Sequence, residues 1–115
     1  MDTRTTINVT IADAQSLSGA SPALDGRTVV GVIVPAANWN AAALTFQGSA
    51  DGVAYCDVYH GAAELATASL AAGDGEALNP NALAPFRYVK VRSGTSGAAV
   101  AQAGGDIITL ILKRD

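Results

Sequence analysis

The chain has 115 residues, one domain's length, and a domain of that size buries roughly two-thirds of the surface its unfolded form exposes without help from disulfides or metals. Half the residues are hydrophobic, many of them Ala, and only 15% are charged, against a usual ~25%. A net charge of −3 with no basic run excludes the electrostatic footprint of a nucleic-acid or anionic-membrane binder.

The opening Met1-Asp2-Thr3-Arg4 lacks the basic head and the apolar block of a secretion signal. No apolar run is long enough to span a membrane. The expectation is a soluble protein made in the cytoplasm, with a short N-terminal arm over about residues 1–5. Residues 5–11 alternate apolar and polar, the pattern of a half-buried strand. A small-residue loop follows over about 12–26, with Pro22 and the turn pair Asp25-Gly26. Residues 27–34 form a second strand with Val30, Val32 and Val34 on one face and Val29 and Ile33 on the other. Apolar side chains on both faces predict a central or doubly covered strand. Pro35 ends it by removing a ladder donor.

Residues 36–42 form a connection that holds Trp39, the sole Trp, between Asn38 and Asn40. A third strand covers 44–49. Asp51-Gly52 is a hairpin signal, with a returning strand over 53–59. Residues 64–70 alternate as a fifth strand, although Ala and Leu also favour helix. Gly73-Asp74-Gly75 is a turn, and 78–85 suits a short helical turn or an irregular crossover. Residues 86–93 and 106–113 are the last two strands, joined by a small, flexible stretch over 94–105. Seven strands with turns between them, and no amphipathic helix, predict a single-domain, all-β antiparallel sandwich of jelly-roll or discoidin-like type.

Few residues suit catalysis. His60, the only His, follows a strand end beside Gly61 and reads as an exposed turn residue. Cys56, the only Cys, sits in an apolar stretch and reads as a buried small hydrophobe, so no disulfide framework exists. One Cys and one His cannot form a zinc site alone. Asp51, Asp57, Asp74, Glu76 and Asp106 could contribute to a calcium shell, but no Asp-x-Asp-x-Asp-Gly loop is present. No nucleophile elbow or phosphate loop occurs. The chain reads as non-enzymatic, without a cofactor or a metal.

Two resemblances add to this reading. Residues 44–55 (Leu-Thr-Phe-Gln-Gly-Ser-Ala-Asp-Gly-Val-Ala-Tyr) and 86–92 (Phe-Arg-Tyr-Val-Lys-Val-Arg) resemble the middle of a discoidin-type β-sandwich. That likeness covers about half the chain and transfers no sugar site; independently of it, Phe46 and Tyr55 are expected to pack across the hairpin as an aromatic cross-strand pair. The chain is shorter than that family, lacks its common disulfide and has an Ala-rich middle. The Thr-rich first strand, the phrase Leu-Thr-Phe-Gln-Gly-Ser-Ala-Asp-Gly and the run Val-Lys-Val-Arg-Ser-Gly-Thr-Ser resemble small virion proteins of tailed bacteriophages and gene-transfer agents.

The second resemblance implies a capsid decoration protein, a head-fibre or spike component, or a tail accessory, located in the virion. Its partners would be the major capsid protein or other virion proteins. Low charge and doubly apolar strands fit a homo-oligomer, because such surface goes into subunit interfaces. The expected contacts are the arm with Thr3 and Arg4, the loop 12–26, and the loops 36–42 and 94–105. The alternative is a carbohydrate-binding module, or a fibre touching host glycans, with Trp39 as the aromatic platform and Asn38 and Asn40 as hydrogen-bonding flanks.

Overall fold

Alternating Val, Ile and Leu form five long strands in the computed structural model, which describes residues 3–114. These are β1 (Arg4–Ile11), β2 (Arg27–Ile33), β3 (Leu44–Ser49), β8 (Tyr88–Ser93) and β9 (Asp106–Arg114). Four short strands complete the described set: β4 (Cys56–Asp57), β5 (Tyr59–His60), β6 (Ala63–Glu64) and β7 (Gly75–Ala77). No helix occurs among the described residues. Of the expected arm, Arg4 and Thr5 belong to β1, paired with Lys113 and Leu112, and Met1 and Asp2 lie outside the described residues.

One sheet has the order β1-β9-β2-β7, a second the order β4-β3-β8, and β5 pairs β6 in a small two-stranded sheet. Residues 16–24 run antiparallel along the free edge of β8, with Ser18 N, Ser21 N and Leu24 N donating to the carbonyls of Val91, Val89 and Arg87. The first half of the chain therefore lies against the second half in reverse. β1 pairs β9, residues 16–24 line β8, β2 pairs β7, and β3 pairs β4. The chain changes sheet at each step except between β3 and β4 and between β5 and β6. That is a long hairpin rolled into two facing sheets, the jelly-roll arrangement of the sandwich.

Between the sheets lie Val9 and Ile11 from β1, Val29 and Val32 from β2, Phe46 from β3, Val91 from β8, and Ile108, Leu110 and Leu112 from β9. Each fully buried aliphatic of this kind contributes about 1.5–3 kcal/mol relative to exposure. In β2 the pairing with β9 steps from Val29–Leu112 to Gly31–Ile111, leaving Val30 as an extra residue. This bulge moves Val29 off its expected face, while Val32 and Val34 stay opposite Ile33 as expected. Val29 joins Val32 and Val34 in the core, and Ile33 turns outward. β2 is central within its sheet, as its sequence predicts, but Ile33 on its second face is open to solvent.

The middle of the chain departs from the expected strands. Asp51 Oδ1 accepts from the amides of Val53 and Ala54, and Ser49 Oγ accepts from those of Asp51 and Gly52. These bonds hold residues 49–55 as a wide loop instead of a two-residue hairpin, and pairing resumes only at Cys56, opposite Gly48. The expected strand over 64–70 reduces to β6 and two isolated bridges, Ala66 to Thr45 and Leu70 to Ala42. Ala, Thr and Ser there offer little apolar area to anchor a continuous ladder.

Candidate binding surfaces

Trp39 is 7% exposed, and its indole N–H donates to the carbonyl of Leu70 at 3.0 Å. A stacking platform needs an open ring face, and this one belongs to the core. The expected sugar platform is therefore corrected to a core anchor that ties the loop 36–42 to residue 70. Asn38 and Asn40 are both exposed, and Asn38 takes a left-handed φ of 63°. The backbone of Asn40 is held by Gln102: its N–H donates to Gln102 Oε1, and its carbonyl accepts from Gln102 Nε2, each at 2.8 Å.

Gln102 is 1% exposed and also donates to Ser93 Oγ, while its own N–H donates to the Gln15 carbonyl. One residue thus stitches together the loops at 12–26, 36–42 and 94–105, its side chain holding Asn40 and its backbone holding Ala14 and Gln15. These loops are the ones the sequence suggests as contact surfaces. They are bonded to one another within the chain, and residues 16–24 serve as an edge cover for β8. Ser18 Oγ accepts from Val91 N at 2.9 Å, and Ser21 Oγ accepts from Val89 N at 3.0 Å. Each hydroxyl thereby stands in for a strand carbonyl. Thr3 and Arg4 are exposed at the other end of the molecule, where the Thr3 carbonyl accepts from Arg114 N.

The outer face of the three-stranded sheet is polar and bonded within itself. Arg92 is 6% exposed, in contact with the carboxylate of Asp57 and 3.7 Å from that of Glu64. Burial of that cation is tolerable because both acids face it. Lys90 Nζ sits 4.4 Å from the centre of the Tyr55 ring. Lys90 alternates with the core residue Val91, so Tyr55 lies on the opposite face from Phe46, and the expected Phe46–Tyr55 packing is replaced by this contact. Desolvation, then the neighbouring Tyr88 and Asp51, raise the Tyr55 hydroxyl above its ordinary value.

Cys56 is exposed, contrary to the buried position its sequence suggests, because the strand there is two residues long and lies on the sheet edge. His60 is exposed in β5 beside Gly61. Among the described residues, no group of three or more His, Cys, Asp or Glu gathers as a metal shell. Backbone amides of Val53 and Ala54, with the Ser49 hydroxyl, hold the Asp51 carboxyl below its ordinary value. Asp106 is 3% exposed, its Oδ2 has no partner, and burial raises its carboxyl.

The outer face of the four-stranded sheet has a different character. Strand alternation places Thr6, Asn8 and Thr10 of β1 beside Ile111, Thr109 and Ile107 of β9, with Gly31 and Ile33 of β2 beyond. Ile33 is 41% exposed and Ile107 51%. The centre of this face carries no charge. Its cations sit at one end, where Arg4 faces Lys113; Arg27 faces Arg114 at the same end but on the opposite side of the sheet. Beside them, residues 23–28 and 84–88 enclose a cleft of about 550 Å³, lined by Arg27, Arg87, Phe86, Tyr88 and Asp25 among others.

No protein-family model matches the chain, and no curated protein matches it either.

Proposed function

We propose that this chain is a non-enzymatic structural protein of a virion, a capsid decoration protein that binds the capsid lattice through the outer face of its four-stranded sheet. The observation that carries the proposal is that face. It is uncharged at its centre and leaves Ile33 and Ile107 open to solvent. Interface cores are depleted in charge and enriched in large apolar groups, and the face has that composition. Resemblance of the Thr-rich first strand and of the phrase at 44–52 to small virion proteins supports the virion as the setting. Trp39, buried and bonded to Leu70, no longer supports a glycan platform, so the assembly reading is the better supported of the two.

Co-sedimentation tests the proposal. The purified chain is mixed with capsids that lack it, alongside the double variant Ile33→Lys, Ile107→Lys. Both positions are exposed, so the variant should fold as the parent does. The parent should pellet with capsids and the variant should remain in the supernatant. Equal pelleting of both proteins overturns the assignment of the face, and failure of the parent to bind overturns the decoration role.

A further inference from the structure

Charge is separated along the strands of the four-stranded sheet. Of the chain's seven Lys and Arg residues, Arg4, Arg27, Lys113 and Arg114 sit at one end of β1, β2 and β9, and Arg87 joins them beside residue 24. At the far end of β2 the chain meets the exposed turn 71–76. Val34 N donates to the carbonyl of Asp74, and Ile33 pairs Gly75. That turn carries Asp74, Glu76 follows it half-buried in β7, and Asp13 lies at the same end, following β1. Seven residues of extended chain put the two ends roughly 20 Å apart.

The basic end is concave. Arg27 directs its guanidinium to the carbonyls of Leu24 and Ala23, and Arg114 Nη1 donates to the carbonyl of Asp25 at 3.0 Å. These bonds fix two guanidinium groups beside the cleft without neutralising them, because carbonyls carry no net charge. Among the described residues, neither is ion-paired with a carboxylate. Arg87 is exposed on the cleft wall. Arg groups held in place are well suited to binding carboxylates, often through two parallel bonds. The segment 71–76 is exposed over 71–75 and held in shape by its carboxylates: Asp74 Oδ2 accepts from Ala71 N and Glu76 Oε1 from Ala68 N, each at 3.0 Å.

We propose that the arginine cleft is a carboxylate-binding site, and that its occupant is the acidic turn 71–76 of a second copy of this chain. Copies then join head to tail. A head-to-tail contact is heterologous, so it closes into a ring or continues as a filament depending on the rotation per step. The proposal rests on the assembly reading above and gives it a lateral contact, separate from the sheet face that meets the capsid.

Light scattering behind size exclusion tests it. The chain is run in about 20 mM and about 0.5 M salt, where charges are screened beyond roughly 20 Å and 4 Å. The mass should exceed the 11.5 kDa monomer in low salt and fall to it in high salt. Arg87→Glu should give the monomer at both salts. Asp74→Asn with Glu76→Gln keeps the turn's acceptors, removes its charge, and should also give the monomer. A wild-type monomer in low salt overturns the proposal, even if capsid binding succeeds. Association that survives both variants but is lost in Ile33→Lys, Ile107→Lys also overturns it and moves self-contact to the sheet face.

Discussion

Two serine hydroxyls seal one edge of the smaller sheet, and removing them should loosen it by a calculable amount. Ser18 Oγ and Ser21 Oγ accept from the amides of Val91 and Val89, residues that are 0% and 1% exposed. In Ser18→Ala or Ser21→Ala the amide loses its acceptor and, at that depth, has poor access to water. Leaving such a group unsatisfied costs about 1–3 kcal/mol. The hydroxyls also donate to the carbonyls of Gly19 and Pro22, but those residues are exposed and water can replace the bond at little cost. Each variant should therefore lose about 1–3 kcal/mol out of a total stability of ~5–15 kcal/mol. For a chain of this length that corresponds to roughly 4 °C in Tm per kcal/mol.

Urea denaturation gives the stability, and amide hydrogen exchange gives the location. Exchange at Val89 and Val91 should quicken by more than the global change, each in its own variant. The reasoning is refuted if both variants lose less than about 0.5 kcal/mol, the usual range for surface changes, and both amides stay as protected as in the parent. The segment 16–24 would then be lying beside β8 without sealing it.

Gly48 lies under the Phe86 ring, and a Cβ built there would stand 2.4 Å from it, so Gly48→Ala should destabilise by about 1–3 kcal/mol in denaturation. Adding Phe86→Leu should recover part of that loss in a double-mutant cycle. Burial raises the carboxyl of Asp106, so the folded state binds its proton more tightly than the unfolded one. The contribution of Asp106 to stability is complete below the unfolded value of about 3.9 and is lost as pH rises through the raised folded value. Asp106→Asn lacks that term, so its stability relative to the parent should improve between acid and neutral pH in paired urea titrations. Cys56 should react stoichiometrically with a thiol reagent under native conditions, because its side chain is exposed. Reaction only after unfolding would contradict that placement.

Strand content and the sandwich were legible because period-2 alternation in 5–11 and 86–93 is strong and local, and 106–113 is a continuous apolar run bounded by turn residues. The bulge at Val30 was not legible, since its signal is a register shift against β9, a strand about 80 residues later. The same limit hid the role of 12–26: a Ser-rich stretch reads as loop until β8 is seen beside it. Asp51-Gly52 misled in the opposite way. The pair signals a tight hairpin, but the Asp51 carboxylate captures two following amides and delays pairing to Cys56. Cys56 then falls on an edge instead of in a core. Of the candidate site, the surplus of apolar residues in β2 and β9 was visible in sequence. Which of them face outward, and the gathering of Arg27, Arg87 and Arg114, required the fold. Trp39 looked like a platform because two Asn residues flank it. Its partner, the Leu70 carbonyl, is 31 residues away.

Hydroxyl-radical footprinting on capsid particles carrying the chain, set against the free protein, tests the central claim most directly. Ile33 and Ile107 report on the face of the four-stranded sheet, while Val53 and Tyr59, 85% and 59% exposed, report on loop and edge positions away from it. The account predicts strong protection of Ile33 and Ile107 on the particle, with Val53 and Tyr59 oxidised as in the free chain. Protection of Val53 and Tyr59, with the two isoleucines still oxidised, would contradict it.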